Sequence, residues 1–330
     1  MRTIALLMSC CNAILPIISR HAERILPALP VGGKHLRRSN MQLLVLAIGV
    51  LLIASPAFGF EVPDLETPES FIVDPSSGEY YISNINGSPI SRDNNGFITK
   101  LHGDGSLVAR SFITGGAYGV ELNAPKGLAI IGNILYVTDI DRVRGFHKVT
   151  GELVHTVNLV LQRAKFLNDL VADDQGNLYV SDTAIFVAAN APPTIFKIET
   201  TNKHKVTIHS RYPMLAYPNG LMIHPKTNAL LVNTWGEGRI LEVSEGGKTV
   251  LFASHKSWKD LDGFDYDSAG NLYISSFTGG SIFRIAPDRS VKEFASGLTT
   301  PADISVDRAS NQLLIPLFDG HAATTIPLTP

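Results

Sequence analysis

The sequence predicts an all-β fold: a six-bladed β-propeller with four antiparallel strands in each blade. Two fragments, GNLYVSD (176–182) and GNLYISS (270–276), are nearly identical, and each follows a short apolar stretch and an Asp. Alignment on them brings out six copies of one unit, with starts 57, 42, 51, 43 and 40 residues apart. Units of this length, made of short strands and turn residues without helical periodicity, are the signature of propeller blades.

The first 59 residues stand apart from the repeat. Residues 41–60 read MQLLVLAIGVLLIASPAFGF, a stretch without a charge, behind Lys34, Arg37 and Arg38. A basic stretch, an apolar run and a small-residue end at Ser55–Gly59 form the layout of a secretory signal peptide with its apolar region over 41–59. The alternative is an uncleaved membrane anchor over 41–60, because about twenty apolar residues just span a bilayer. Met41 is also a candidate start. The expectation is a leader over 1–59, removed on export, and a propeller over 60–330. That propeller is expected in the periplasm or secreted, monomeric and free of the membrane after cleavage.

Composition narrows the chemistry. Cys10 and Cys11 are the only cysteines, so a disulfide framework, a cysteine zinc site and a thiol nucleophile are excluded beyond residue 11. Of 28 basic and 30 acidic residues, six bases and one acid lie within 1–59, which leaves 22 against 29 and a net charge of −7 for the remainder. Such a body repels phosphate backbones, so nucleic acid is not expected as a partner.

Phe60–Glu66 is a strand-length segment that belongs to no copy. The six copies of the first two strands follow: ESFIVDPSSGEYYISN from Glu69, KGLAIIGNILYVTD from Lys126, NDLVADDQGNLYVSD from Asn168, NGLMIHPKTNALLVNT from Asn219, DGFDYDSAGNLYISS from Asp262 and ADISVDRASNQLLIPL from Ala302. Third strands are read at 96–101, 145–149, 194–198, 239–243, 281–285 and 325–328. Fourth strands are read at 107–113, 153–159, 205–210, 249–254 and 291–296. The sixth copy reaches Pro330 without a fourth strand. An unpaired edge is a liability, so Phe60–Glu66 is expected to pair with the last blade and close the ring. Pro63 is compatible only with an outermost, edge-type position. The turns between first and second strands carry Asp74…Gly78, Asp174-Gln175-Gly176 and Asp267…Gly270, where Asp opens the turn and Gly takes the left-handed position.

The first strand of each propeller blade lines the central channel, so equivalent first positions meet in a ring at one mouth. That slot holds Glu69, Lys126, Asn168, Asn219, Asp262 and Ala302, where the rest of the repeat is Val, Ile, Leu, Tyr and Phe. Taken singly, Asn219-Gly220 and Asp262-Gly263 are ordinary turn dipeptides. Taken together, Glu69, Asn168, Asn219 and Asp262 offer four hard oxygen donors with two negative charges. That set suits Ca²⁺ first, with Zn²⁺, Mg²⁺ or Mn²⁺ as alternatives. Without an ion the two carboxylates repel, and Lys126 is the alternative neutralising group.

These motifs resemble the senescence-marker-protein (regucalcin) and gluconolactonase family over about residues 60–330. The likeness lies in Glu69 opening blade one, Asn168-Asp169 blade three, Asn219-Gly220 blade four and Asp262-Gly263 blade five. The resemblance implies a catalytic divalent metal at the axis, held by Glu69, Asn219 and Asp262. Asn168 would be a further ligand or a substrate contact, and Asp262 the general base. Sugar-lactone members carry an arginine two residues before the blade-three asparagine, where this chain has Phe166, which points away from a polyhydroxylated sugar lactone and to a less polar or different substrate.

The second-to-third-strand loops return to the same mouth, and two are long, 84–95 and 182–193. The second, with Ile185, Phe186 and Val187, is a candidate lid. Lys126, Phe166, Asp169, Phe186 and Trp235 are the candidate substrate contacts. Arg92, Arg142, His224 and His321 are read as packing or solvated groups. No G-x-S-x-G, P-loop or G-x-G-x-x-G stands in a strand-to-helix context. The expected function is metal-assisted hydrolysis of a small lactone or related ester, with Asp262 taking the proton of the attacking water. Two other readings stay open: a non-catalytic ligand- or protein-binding propeller with a structural calcium, and a calcium-dependent aryl-ester or phosphotriester hydrolase.

Overall fold

In the second strand of each repeat, buried on both faces, the apolar run is nearly continuous. Tyr80–Asn84, Asn177–Asp182, Leu230–Thr234 and Leu272–Ser276 are buried at every position. The fourth strands, Leu107–Thr114 and Val291–Ser296 among them, expose much of one face and form the outer rim.

The computed structural model describes residues 59–184, 187 and 191–328. They form six four-stranded antiparallel sheets, five of them running inward to outward in chain order. The innermost strands are Pro68–Val73, Pro125–Ile131, Leu167–Ala172, Pro218–Ile223, Leu261–Tyr266 and Ser305–Asp307. The sixth sheet takes its outermost strand from the other end of the chain, where Glu61 pairs with Thr324 and Val62 with Ala323. That strand is only Glu61–Val62, and Pro63 lies just beyond it, where no ladder N–H is required. The expected leader, 1–59, lies outside the described residues apart from Gly59.

The core is divided among the blade interfaces. Phe71, Tyr80 and Leu101 of blade one meet Leu314 and Ala323 of blade six, and Tyr81, Ile98 and Ile113 meet Leu128, Leu135 and Phe146 of blade two. Four further apolar clusters fill the remaining interfaces around the ring. Each blade therefore buries one sheet face against each neighbour, which is the main stabilising term of a stacked repeat.

Four details differ from the sequence reading, the first being the third strand of blade six, which is Ala322–Pro327 rather than 325–328. The third strand of blade two is Arg142–His147 rather than 145–149, because a tight turn at Ile140-Asp141, with Ile140 at φ +54°, starts it early. The blade-three turn is opened by Asp173, whose carboxylate accepts the N–H groups of Gln175 and Asn177, and not by Asp174. Short 3₁₀ turns, Val160–Gln162 and Pro213–Leu215, lead into blades three and four.

Candidate metal and substrate site

Five inner strands lose register with their neighbours at one equivalent place. The ladder steps from Pro68 to Phe71, Pro125 to Leu128, Leu167 to Leu170, Pro218 to Leu221 and Leu261 to Phe264, with one residue too many each time. In blade six, Pro301 bridges to Leu317 and the regular ladder resumes at Ser305. The residues in these bulges are Glu69-Ser70, Lys126-Gly127, Asn168-Asp169, Asn219-Gly220, Asp262-Gly263 and Ala302-Asp303. A bulge re-aims the side chains it carries, which is how five polar slots and Ala302 turn to one throat.

In four of the bulges a side chain of the neighbouring strand takes the N–H of the second residue. Ser83 Oγ accepts it from Ser70 at 2.9 Å, Ser181 Oγ from Asp169 at 3.0 Å, Asn233 Oδ1 from Gly220 at 2.9 Å and Ser275 Oγ from Gly263 at 2.9 Å. The glycines answer a close approach and not a turn. A Cβ on Gly220 would lie 2.1 Å from the Asp262 carbonyl oxygen, and one on Gly263 2.3 Å from the Ile304 nitrogen. The turn-dipeptide alternative for Asn219-Gly220 and Asp262-Gly263 is therefore set aside: both pairs lie in inner strands, pressed against the next blade.

Glu69, Lys126, Asn168 and Asp262 line one cavity of ≈ 230 Å³, together with Ile85, Pro89, Phe166, Thr183, Trp235, Phe277 and Phe318. Three buried oxygens from three blades, Glu69 Oε2, Asn168 Oδ1 and Asp262 Oδ1, have no hydrogen-bond partner among the described residues. The fourth expected donor differs. Asn219 Oδ1 accepts a 2.5 Å hydrogen bond from Asn168 Nδ2, and Asn219 Nδ2 donates to the Leu261 carbonyl at 3.3 Å. Asn219 thus holds Asn168 with its amide oxygen away from itself. Among the described residues no three His, Cys, Asp or Glu side chains converge as a metal cluster. The convergence here is two carboxylates and a carboxamide, a hard-oxygen set that fits a divalent ion completed by water.

The electrostatics agree with that fit. Burial, then Asp262, Asp303 and Asp169, push the Glu69 carboxyl well above its ordinary range, against the opposing pull of Lys126. Burial and Asp303 do the same to Asp262. Lys126 is brought down to about 8 by burial, which outweighs Glu69 and Asp139. Its Nζ donates to the Ala124 carbonyl at 3.1 Å and stands 4.5 Å from the centroid of the Phe166 ring. An uncompensated group of buried acids is costly, and a bound cation is the usual remedy.

Asp169 does not line this cavity. Its two carboxylate oxygens accept the N–H groups of Leu170 and Leu221, each at 2.6 Å, and it borders a second cavity of ≈ 250 Å³ that also touches Asp303, Asp265 and Arg308. The second bulge position faces the opposite end of the channel from the first, so Asp169 is corrected from a contact at the mouth to an acid of the far side. Phe186 lies outside the described residues. Arg92 and Arg142 both pair with Asp141, and His321 lies 3.4 Å from Glu66.

Sequence reasoning passed over three sets of residues. Asp303 follows the Ala302 slot, and burial pushes its carboxyl up to about 7 despite a 2.6 Å hydrogen bond from Ser70 Oγ. The last residue of several second strands holds the entrance of its own blade: Asp182 Oδ1 accepts the Phe166 N–H at 2.7 Å, and Asp139 Oδ1 accepts the Ala124 N–H at 2.9 Å. The residue after it forms a further ring, Ile85, Ile140, Thr183, Trp235, Phe277 and Phe318, of which the sequence reading named Trp235 alone. One more column of the aligned repeat would have shown it.

Known proteins place this architecture. Residues 67–304 match the family described as the SMP-30/Gluconolactonase/LRE-like region. A solved gluconolactonase from Xanthomonas campestris superposes with a TM-score of 0.63 at 17% identity, over 82% of this chain and 89% of that one. A calcium-binding regucalcin from Agrobacterium tumefaciens gives 0.60 at 16% identity, over 81% and 92%. Virginiamycin B lyase from Staphylococcus aureus gives 0.55 at 15% identity, over 83% and 89%. Identities this low establish the fold alone. No curated protein matches the sequence significantly. With 67–304 covered by the family match, the chain belongs to the SMP-30/gluconolactonase/LRE-like family of six-bladed propellers.

Proposed function

We propose that this propeller is a divalent-cation-dependent hydrolase of a small lactone or related ester. The observation that carries the reading is the trio Glu69 Oε2, Asn168 Oδ1 and Asp262 Oδ1, buried and unpartnered beside one cavity. Glu69, Asn168 and Asp262 would hold the ion, and Asn219 would fix the Asn168 carboxamide. Calcium suits these donors best, with zinc, magnesium or manganese as alternatives. A bound ion would supply Lewis-acid polarisation of the substrate carbonyl.

The chain's own residues then do the rest. Asp262, kept ionised by a neighbouring cation, takes a proton from the attacking water through its carboxylate. The Asn233 side chain holds the backbone around it, donating to the Asp262 carbonyl and accepting the Gly220 N–H. The aromatic side chains above the polar ring limit water to the substrate's own path. A small-molecule substrate, a monomeric state and export belong to the same proposal.

The test is hydrolysis of a lactone and ester panel by residues 60–330, with calcium and after exhaustive chelation. Activity abolished by chelation and restored by calcium supports the reading; full activity without metal refutes it. A ligand-binding propeller with a structural cation is the second reading. It is favoured by Lys126, which puts a positive charge into the throat beside Glu69. Calcium-dependent stability without any turnover would select it.

A further inference from the structure

We propose that the site takes a compact ester or lactone with an aromatic or branched apolar body, selected by a collar of apolar side chains above the polar ring. The substrate class rests on the hydrolase reading for its chemistry, and on the collar alone for its binding.

The collar is built by the repeat. Where each second strand ends, the next residue's N–H bonds back to the segment entering its own blade. Ile85 donates to Thr67 at 3.1 Å, Thr183 to Phe166 at 2.9 Å, and Trp235, Phe277 and Phe318 to Tyr217, Asp260 and Thr300 at 3.0 Å. Backbone geometry is therefore the same in these five blades, and the side chain is what varies. Four of the five are apolar at the start of a surface loop, a place where loop chemistry ordinarily favours polar residues.

The three aromatics form a run across blades four to six. Trp235 and Phe277 have ring centroids 5.2 Å apart, and Phe277 and Phe318 5.5 Å apart at 64°. Phe318 continues into the cluster of Ile85, Ala124 and Ile140. All three rings are half-buried and line the cavity that reaches Glu69 and Asp262. Half-buried aromatic surface that faces a cavity and not the core marks a place for an apolar ligand.

Among the described residues the collar offers a polyol few polar groups, the Thr183 hydroxyl and the Trp235 indole N–H. Thr183 is the collar's one hydroxyl, and its Oγ1 donates to the Pro218 carbonyl at 2.7 Å. The floor beside it is Phe166, whose face is occupied by the Lys126 ammonium at 4.5 Å. Sugar hydroxyls held against the Ile85, Phe277 and Phe318 side chains would lose water and gain few partners there, which penalises each one so placed. The cavity, at ≈ 230 Å³, accommodates one or two small rings and no long chain.

The experiment compares three probes with the calcium-loaded protein: dihydrocoumarin, D-glucono-1,5-lactone, and the lactam isostere of dihydrocoumarin, which resists hydrolysis. Dihydrocoumarin should exceed gluconolactone in kcat/KM by about a hundredfold or more, the discrimination expected when several hydroxyls meet an apolar wall. Phe277→Ala should raise KM for dihydrocoumarin by about tenfold with a smaller effect on kcat, and Phe277→Leu should recover part of it. Circular dichroism and melting of each variant separate this from misfolding. Lactam binding should quench the fluorescence of Trp235, and Trp235→Phe should remove that signal while leaving buried Trp258 in place.

Each outcome decides something. Calcium-dependent turnover of gluconolactone at or above that of dihydrocoumarin overturns the substrate class and leaves the hydrolase reading standing. Lactam binding with quenching, but no turnover of either lactone, upholds the collar and overturns the hydrolase. No turnover and no lactam binding overturns the collar.

Discussion

The Nζ of Lys126 lies 4.5 Å from the centroid of the Phe166 ring, so a buried ammonium from blade two rests on an aromatic face from the entrance to blade three. That contact partly replaces the water Lys126 has lost, and it keeps a positive charge close to Glu69. The lysine and a bound cation therefore compete for the same carboxylate. Lys126→Met should tighten calcium binding by about tenfold or more, since removing one unit charge a few ångströms away is worth at least that at an effective dielectric near 20. In chelator the same variant should melt below the wild type. Calcium titration followed by melting measures both, and unchanged affinity would show that Lys126 does not feel the ion.

Glu69→Gln and Asp262→Asn separate stability from function. Each removes a charge from a crowded group of buried acids, so each should raise the melting temperature in chelator. Each should also abolish most of the further stabilisation by calcium and reduce turnover by at least about a thousandfold, the range set by losing a catalytic proton acceptor or a metal ligand. Lower stability in chelator for both variants would contradict the account of the site as mutually repelling acids.

Stability in chelator should fall as pH rises. Glu69, Asp169, Asp262 and Asp303 all have folded-state pKa values raised, chiefly by burial, Asp303 to about 7. A raised acid stabilises the folded state below its unfolded value near 4 and loses that contribution as pH climbs through its folded value. Lys126, lowered to about 8, acts in the opposite sense but only between about 8 and its unfolded value, so it leaves this window untouched. The melting temperature in chelator should therefore be higher at pH 5 than at pH 8, by about 2–4 °C for each kcal/mol. Excess calcium should flatten or reverse the slope. A rise from pH 5 to pH 8 in chelator would refute the assignment.

Asp182 anchors the segment that carries Phe166. Its carboxylate accepts the Phe166 N–H at 2.7 Å and the Lys165 N–H at 3.1 Å. Asp182→Ala should destabilise the protein by about 1–3 kcal/mol, the cost of leaving buried donors unmade. It should also loosen the substrate floor, seen as a raised KM. Full stability in urea titration would show that water replaces the carboxylate.

The repeat, the number of blades and the six-residue slot were all legible in the sequence, because strands buried on both faces read as Val/Ile/Leu/Tyr runs and a polar residue among them stands out. The fragments around Tyr179 and Tyr273 set the alignment, and every later element followed from it. What the alignment lacked was direction. Periodicity showed that Asn168 and Asp169 were neighbours, and only the bulge at Leu167–Leu170 sends one to the mouth cavity and the other to the far side. The dipeptides left a turn open as the alternative at Gly220 and Gly263, and only the adjoining backbones, at 2.1 and 2.3 Å from their missing Cβ atoms, show that they admit the next blade.

The sequence by itself determined which residue types repeat, because burial and strand pairing act locally and leave a pattern in the chain. The tertiary structure alone decided which oxygens remain unpartnered, why Asn219 turns to Asn168, and that Trp235, Phe277 and Phe318 stand together over Glu69 and Asp262. Those relations join residues tens to hundreds of positions apart, and they exist only after the ring has brought the blades side by side.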